Sequence, residues 1–128
     1  MDCEFREYRY FFFKKNYNLD DMLDGAKKLL GEHDFRNFCK LNLLATTNHV
    51  RTILDVDIQK ADFQYIQESN RIPGMNEYFQ LFYVKIRGTA FLWHMIRAIM
   101  SVLFEIAEGD AEPEVVDQLL DIEQTPHR

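Results

Sequence analysis

Residues 91–109, Phe-Leu-Trp-His-Met-Ile-Arg-Ala-Ile-Met-Ser-Val-Leu-Phe-Glu-Ile-Ala-Glu-Gly, are the stretch on which the fold turns. Leu92, Met95, Ile96, Ile99, Met100, Val102, Leu103, Phe104 and Ile106 cover most of a helical circumference, the pattern of a helix seated in a core. His94, Arg97, Ser101, Glu105 and Glu108 recur at three- and four-residue steps and form one narrow polar stripe. The spacing predicts one long helix with a single cation near its middle. A guanidinium keeps its proton, so Arg97 must reach water or a carboxylate. No acid stands three or four residues from it on either side, and Glu105 is two turns away. The sequence therefore predicts a buried Arg97 whose partner comes from elsewhere in the fold or from outside the chain.

Working back from this helix, Gly88 ends a strand over 78–87, with Phe82, Val84 and Ile86 opposite Tyr83, Lys85 and Arg87. A turn-rich stretch from Glu68 to Glu77 precedes it, with Pro73-Gly74 at its centre. Residues 51–59 alternate, Leu54, Val56 and Ile58 against Ile53, Asp55, Asp57 and Gln59, and predict a half-exposed strand; Phe63 to Ile66 extend it or pair with it. Residues 31–40 are expected to be a short irregular or single-turn segment with Phe35 and Phe38 packing inward. A helix comes before that, capped by Asn18, with Asp20 and Asp21 in its first turn, Lys27 and Lys28 in its last, and Gly31 as its left-handed stop. The aromatic run 5–13 is a strand with Tyr8, Tyr10 and Phe12 on one face and Arg9, Phe11 and Phe13 on the other; both faces turn apolar, which predicts a central strand. After the long helix, Pro113 starts a short acidic helix through about Leu120. The order β-α-β-β-α-α gives an α+β fold, an antiparallel sheet with helices packed on one face, as a single domain over 1–128.

Composition sets the outer bounds. With 128 residues, 47% of them hydrophobic, the chain can bury a real core. Cys3 and Cys39 show no metal-ligand spacing and are expected to be reduced thiols, which suits an intracellular protein. No basic start followed by an apolar run is visible at Met1, and Arg97 interrupts the longest apolar stretch, so no membrane span is expected. The net charge of −6 reflects 21 acids against 15 bases, and six of those acids, Asp110, Glu112, Glu114, Asp117, Asp121 and Glu123, lie in one base-free run. With that run set aside the body is neutral, and a local Arg/Lys surface for nucleic acid is neither demanded nor forbidden.

No phosphate loop, nucleophile elbow or His-Glu-x-x-His motif is present. His33 and His94 stand alone and read as local hydrogen-bonding groups. Two features rise above this background. Arg6-Glu7-Tyr8-Arg9-Tyr10 is an aromatic strand flanked by cations, either ordinary strand packing or a base-stacking platform. Arg97 is either half of a structural ion pair or a cation that orients a carboxylate or binds a phosphate.

Tyr8-Arg9-Tyr10, Gly31-Glu-His-Asp-Phe35-Arg-Asn-Phe-Cys-Lys40, Arg51-Thr52-Ile53 and Gly88-Thr-Ala-Phe-Leu-Trp-His-Met-Ile-Arg97 occur in an order and at spacings that resemble the C-terminal half of TruA-type tRNA pseudouridine synthases. The closest resemblance is to the eukaryotic branch acting on the 3′ side of the anticodon stem-loop. It implies a cofactor-free isomerisation of a uridine flipped out of tRNA. It also implies that Tyr8 stacks on the target base and that Arg97 pairs with a nucleophilic aspartate. Arg36, Lys40 and Arg51 are further candidates for RNA contacts, each equally a surface ion pair. The family's aspartate belongs to an Arg-Thr-Asp motif; here Ile53 follows Arg51-Thr52, in a segment that matches another strand. The expectation is a truncated enzyme, inactive alone, whose partners are tRNA and the missing N-terminal half, located in nucleus or cytoplasm. Two alternatives stand beside it: a non-catalytic RNA-binding module of recognition-motif type, with aromatics on an open sheet face, and a domain that forms a homodimer through exposed apolar surface.

Overall fold

The computed structural model describes residues 5–39, 48–61 and 80–124. Among them the chain runs β1 (Arg6–Phe13), α1 (Leu19–Lys27), β2 (Gly31–Asp34), a 3₁₀ turn (Arg36–Phe38), β3 (Val50–Lys60), β4 (Leu81–Gly88), α2 (Met95–Ala107) and α3 (Val115–Leu120). The four strands form one antiparallel sheet in the order β1-β4-β3-β2. The helices cover one face, so the α+β expectation holds. The expectations for 63–66 and 68–77, and Lys40, lie outside the described residues.

Three sequence expectations need correcting. The first concerns β2. Gly31 to Asp34 were expected to be irregular, since Gly-Glu-His-Asp has no apolar alternation. They form a strand because Gly31 to Asp34 pair with Ile53 to Val50 of β3, and ladder bonds override weak propensity. Gly31, at φ +98°, turns the chain out of α1 into that strand. The second concerns β1, expected to be central: among the described residues it lies at the edge of the sheet. Phe11 and Phe13 remain 42% exposed on the open face, Phe11 against Tyr83 with ring centroids 5.2 Å apart; apolar residues on both faces here signal aromatic cross-strand contact, not double burial.

The third concerns β3. A β-bulge between Ile53 and Asp55 shifts the alternation by one. Ile53 is buried beside Val56, while Leu54, expected on the core face, is 49% exposed.

Helix α1 begins as its sequence dictates: the Asn18 side chain accepts from the Asp21 N–H at 3.1 Å. The Asn18 N–H donates to the Ala107 carbonyl at 2.9 Å and ties the start of α1 to the end of α2. Met22, Ala26 and Leu29 then meet Ile99, Leu103 and Ile106 over Ile53, Val56, Val84 and Ile86 of the sheet. Gly25 lets α1 and α2 close: a Cβ there would sit 2.6 Å from Ile106 Cδ1. The acidic α3 is clasped to the body by Lys28 to Asp117 at 3.1 Å, and Asn37 of the 3₁₀ turn donates to the Leu119 carbonyl at 2.9 Å.

Gly88 permits a second close approach. A Cβ at this position would lie 2.9 Å from the backbone oxygen of Thr52 and 3.1 Å from Phe91 Cζ. Gly88→Ala should therefore cost about 1–3 kcal/mol through forced backbone movement, read as a lower urea midpoint. A pH effect follows from Asp34. Burial pushes its carboxyl up, but hydrogen bonds from the Arg36 side chain and backbone N–H, at 2.9 to 3.2 Å, reverse this and leave its pKa below the ordinary value. A carboxyl depressed in the folded state contributes stability above its unfolded pKa and loses it as pH falls through the folded one. Urea titrations should show wild type more stable than Asp34→Asn near neutrality, with the gap closing as pH falls from about 5 to about 2.

Candidate active site

Tyr8 on β1 and the segment that links β4 to α2 form one open cleft. Its lining is Tyr8 together with Phe91 through Arg97, and it encloses about 340 Å³. That volume lies at the small end of ligand sites, with room for one nucleotide-sized group. Tyr8 meets Phe91 edge-on, with ring centroids 5.0 Å apart and planes at 88°. The linking segment is held by two buried residues three apart: Leu92 and Met95, with the Leu92 N–H reaching the Met95 sulfur at 3.5 Å. Their neighbours Phe91 and Trp93 face outward as walls.

The helix predicted over 91–109 is thus shorter, Met95–Ala107, and two residues on it differ from expectation. His94 lies outside it with a left-handed backbone, φ +61° and ψ +13°, which stops the helix from extending backward. Arg97 accordingly lies in the first turn, not the middle, and it is exposed, not buried. The physical reason is the polar stripe itself: Arg97, Ser101 and Glu108 form the solvent side of α2, while Met95, Ile99, Met100, Val102, Leu103 and Ile106 face the core. Among the described residues Arg97 makes no ion pair. The first turn also holds no acid, so the guanidinium and the unpaired N–H groups of the helix start share one electropositive end. A carboxylate or phosphate is what such an end accepts.

The motif around Tyr8 is split between faces. Tyr8 and Tyr10 project to the helix side, Tyr10 against Phe104 at 6.0 Å. Glu7 and Arg9 project to the open side, where Glu7 joins Arg87 at 2.7 Å and Arg9 at 3.0 Å, and Arg9 lies over Tyr83. The Arg87 hydrogen bond, then that of Arg9, holds the Glu7 carboxyl below its usual range. A recognition-motif module needs Tyr8 and Tyr10 on the open face, and the structure puts them on the other.

Of the remaining sequence candidates, Arg36 and Arg51 are not brought to the cleft. Arg36 is clamped to Asp34, and the Arg51 guanidinium folds onto the carbonyls of Asn48 and Val50. Both belong to the β2–β3 side of the sheet, across β4 from Tyr8. Among the described residues no group of three His, Cys, Asp or Glu could hold a metal, and no helix is long and apolar enough to cross a membrane.

A family model described as tRNA pseudouridine synthase matches residues 26–128. Over its whole length the chain is 41% identical to the tRNA pseudouridine(38/39) synthase of Bos taurus and covers 26% of that protein. It is 39% identical to the protein of the same name from Saccharomyces cerevisiae, again covering 26% of it. Over 92% of the chain it is 34% identical to tRNA pseudouridine synthase A of Methanobrevibacter smithii, of which it covers 39%. The chain thus spans about a quarter of the length of these eukaryotic relatives.

The left-handed residue at the cleft gives a stability test. His94→Val puts a β-branched side chain at φ +61° and should cost about 1–2 kcal/mol, whereas His94→Asn should stay near wild type in thermal unfolding.

Proposed function

The chain belongs to the tRNA pseudouridine synthase family, and we propose that it supplies the base-holding half of a site that isomerises uridine to pseudouridine in tRNA. The observation that carries this reading is that Tyr8 and Arg97, from opposite ends of the sequence, line one cleft. Tyr8 offers a ring for the extruded uracil to stack on. Arg97 and the start of α2 offer positive charge to an aspartate that enters from the N-terminal half of the same enzyme. That carboxylate attacks the nucleoside and the glycosidic C–N bond breaks. The uracil turns and a C–C bond forms as the bond between the carboxylate and the nucleoside breaks, the ring carbon giving up a proton and the freed nitrogen taking one. The sum is an isomerisation, with no cofactor.

Several features support this division of labour. The family's Arg-Thr-Asp motif does not occur in the sequence, and the lining of the cleft brings a cation and a stacking ring but no carboxylate. The outer side of β1 faces no strand among the described residues, and edge strands of this kind are ordinarily covered. The names of the relatives favour uridines 38 and 39 as targets. Such a protein works in the nucleus or cytoplasm, where tRNA is matured.

The test is to co-express the chain with a matching N-terminal half and measure pseudouridine in tRNA. Tyr8→Ala should slow formation about ten- to hundred-fold, the worth of one base stack. Arg97→Ala should slow it about 10²–10³-fold, as for loss of a preorganised charge partner. Wild-type rates for both variants would overturn the reading.

A further inference from the structure

Trp93 is the single tryptophan of the chain and the most exposed large apolar side chain at the cleft, at 59%. A tryptophan buries more surface than any other residue when it is covered, and an uncovered one at the rim of a site is a contact for a ligand. Two details show that its position is held. His94 meets the indole edge-on, ring centroids 4.4 Å apart and planes at 88°, and does so from a left-handed backbone that a non-glycine residue adopts at a cost. Leu92 and Met95, both buried, fix the chain on either side of Trp93 and His94.

The charge around it selects the occupant. From Thr89 to Phe104 the sequence contains no acid, and Arg97 lies on the same wall as Trp93. An aromatic ring beside a cation, with no carboxylate near in sequence, matches single-stranded nucleic acid, in which phosphates and base faces alternate. The cleft has room for one nucleotide, so a ring at its rim meets the next one.

We propose that Trp93 stacks on the base adjacent to the extruded nucleotide and so fixes the RNA strand while the target enters the cleft. This rests on the reading that the cleft receives a flipped nucleotide of RNA. It adds a positioning contact that neither Tyr8 nor Arg97 supplies.

The test titrates the 128-residue chain, and its Trp93→Ala and Trp93→Phe variants, with an anticodon stem-loop RNA hairpin. Two more hairpins carry an abasic site on the 5′ or the 3′ side of the target uridine. The tryptophan fluorescence of the wild type, which comes from Trp93 alone, should be quenched on binding. Trp93→Ala should weaken binding about ten- to hundred-fold, with Trp93→Phe recovering most of it and thermal midpoints unchanged. One abasic hairpin should bind wild type more weakly than the intact hairpin does, yet make no difference to Trp93→Ala. Equal losses for both proteins, or unchanged binding by Trp93→Ala, overturn the proposal. If in that case Tyr8→Ala still slows pseudouridine formation in the reconstituted enzyme, the proposed function stands without it. Stacking without any pseudouridine formation would leave Trp93 as an RNA contact and remove the catalytic reading. An unbound hairpin removes both.

Discussion

The seating of α2 governs everything else in this molecule. Met95, Ile99, Met100, Val102, Leu103 and Ile106 are each no more than 1% exposed, and they lock the helix between α1 and the sheet. Each is worth on the order of 1.5–3 kcal/mol in burial, so the helix cannot slide or rotate without losing several at once. Because its apolar face is fixed, its polar stripe is fixed too, and Arg97 has only one place to be. The buried pair Leu92 and Met95 then sets where the helix begins and how the preceding segment enters. Phe91, Trp93 and His94 are presented as walls of a cleft as a result of core packing one residue away.

The sheet divides its labour by face. On the helix side, β1 contributes Phe12 to the core and Tyr8 to the cleft, with Tyr10 between them against Phe104. On the open side, charges are matched within the chain: Glu7 with Arg87 and Arg9, and Lys85 with Asp55 at 3.2 Å. Exposed pairs of this sort add little stability. Their effect is to occupy Arg9, Arg87 and Lys85, cations that would otherwise be open to RNA. Arg97 differs from these cations in that no acid among the described residues meets it.

The periodic elements were legible in the sequence. Asn18 announced α1, Val84 and Ile86 gave β4 its inward face, and the apolar breadth of Ile99 to Ile106 announced a core helix. What was hidden depended on non-local pairing or on a single backbone angle. Gly-Glu-His-Asp becomes β2 only because β3 lies beside it. Leu54 points outward because a bulge displaces it, and no alternation rule detects an inserted residue. The left-handed turn at His94 shortened α2 and moved Arg97 from a supposed buried centre to an exposed first turn. Tyr8 and Arg97 were recognisable through family resemblance; the walls contributed by Phe91 and Trp93 were not, because the run from Phe91 to Met95 scans as helix.

The pairing of β1 with β4, from Arg6 against Gly88 to Phe13 against Leu81, has a consequence for the order of assembly. During synthesis Tyr8 emerges before the strand that fixes it, which is made only after β2 and β3. Long-range pairing of this kind closes slowly, because a large loop must be ordered first. A nascent or prematurely terminated polypeptide therefore displays the aromatic strand without the cleft, whose lining is assembled only once translation has passed the first helical turn that bears the guanidinium.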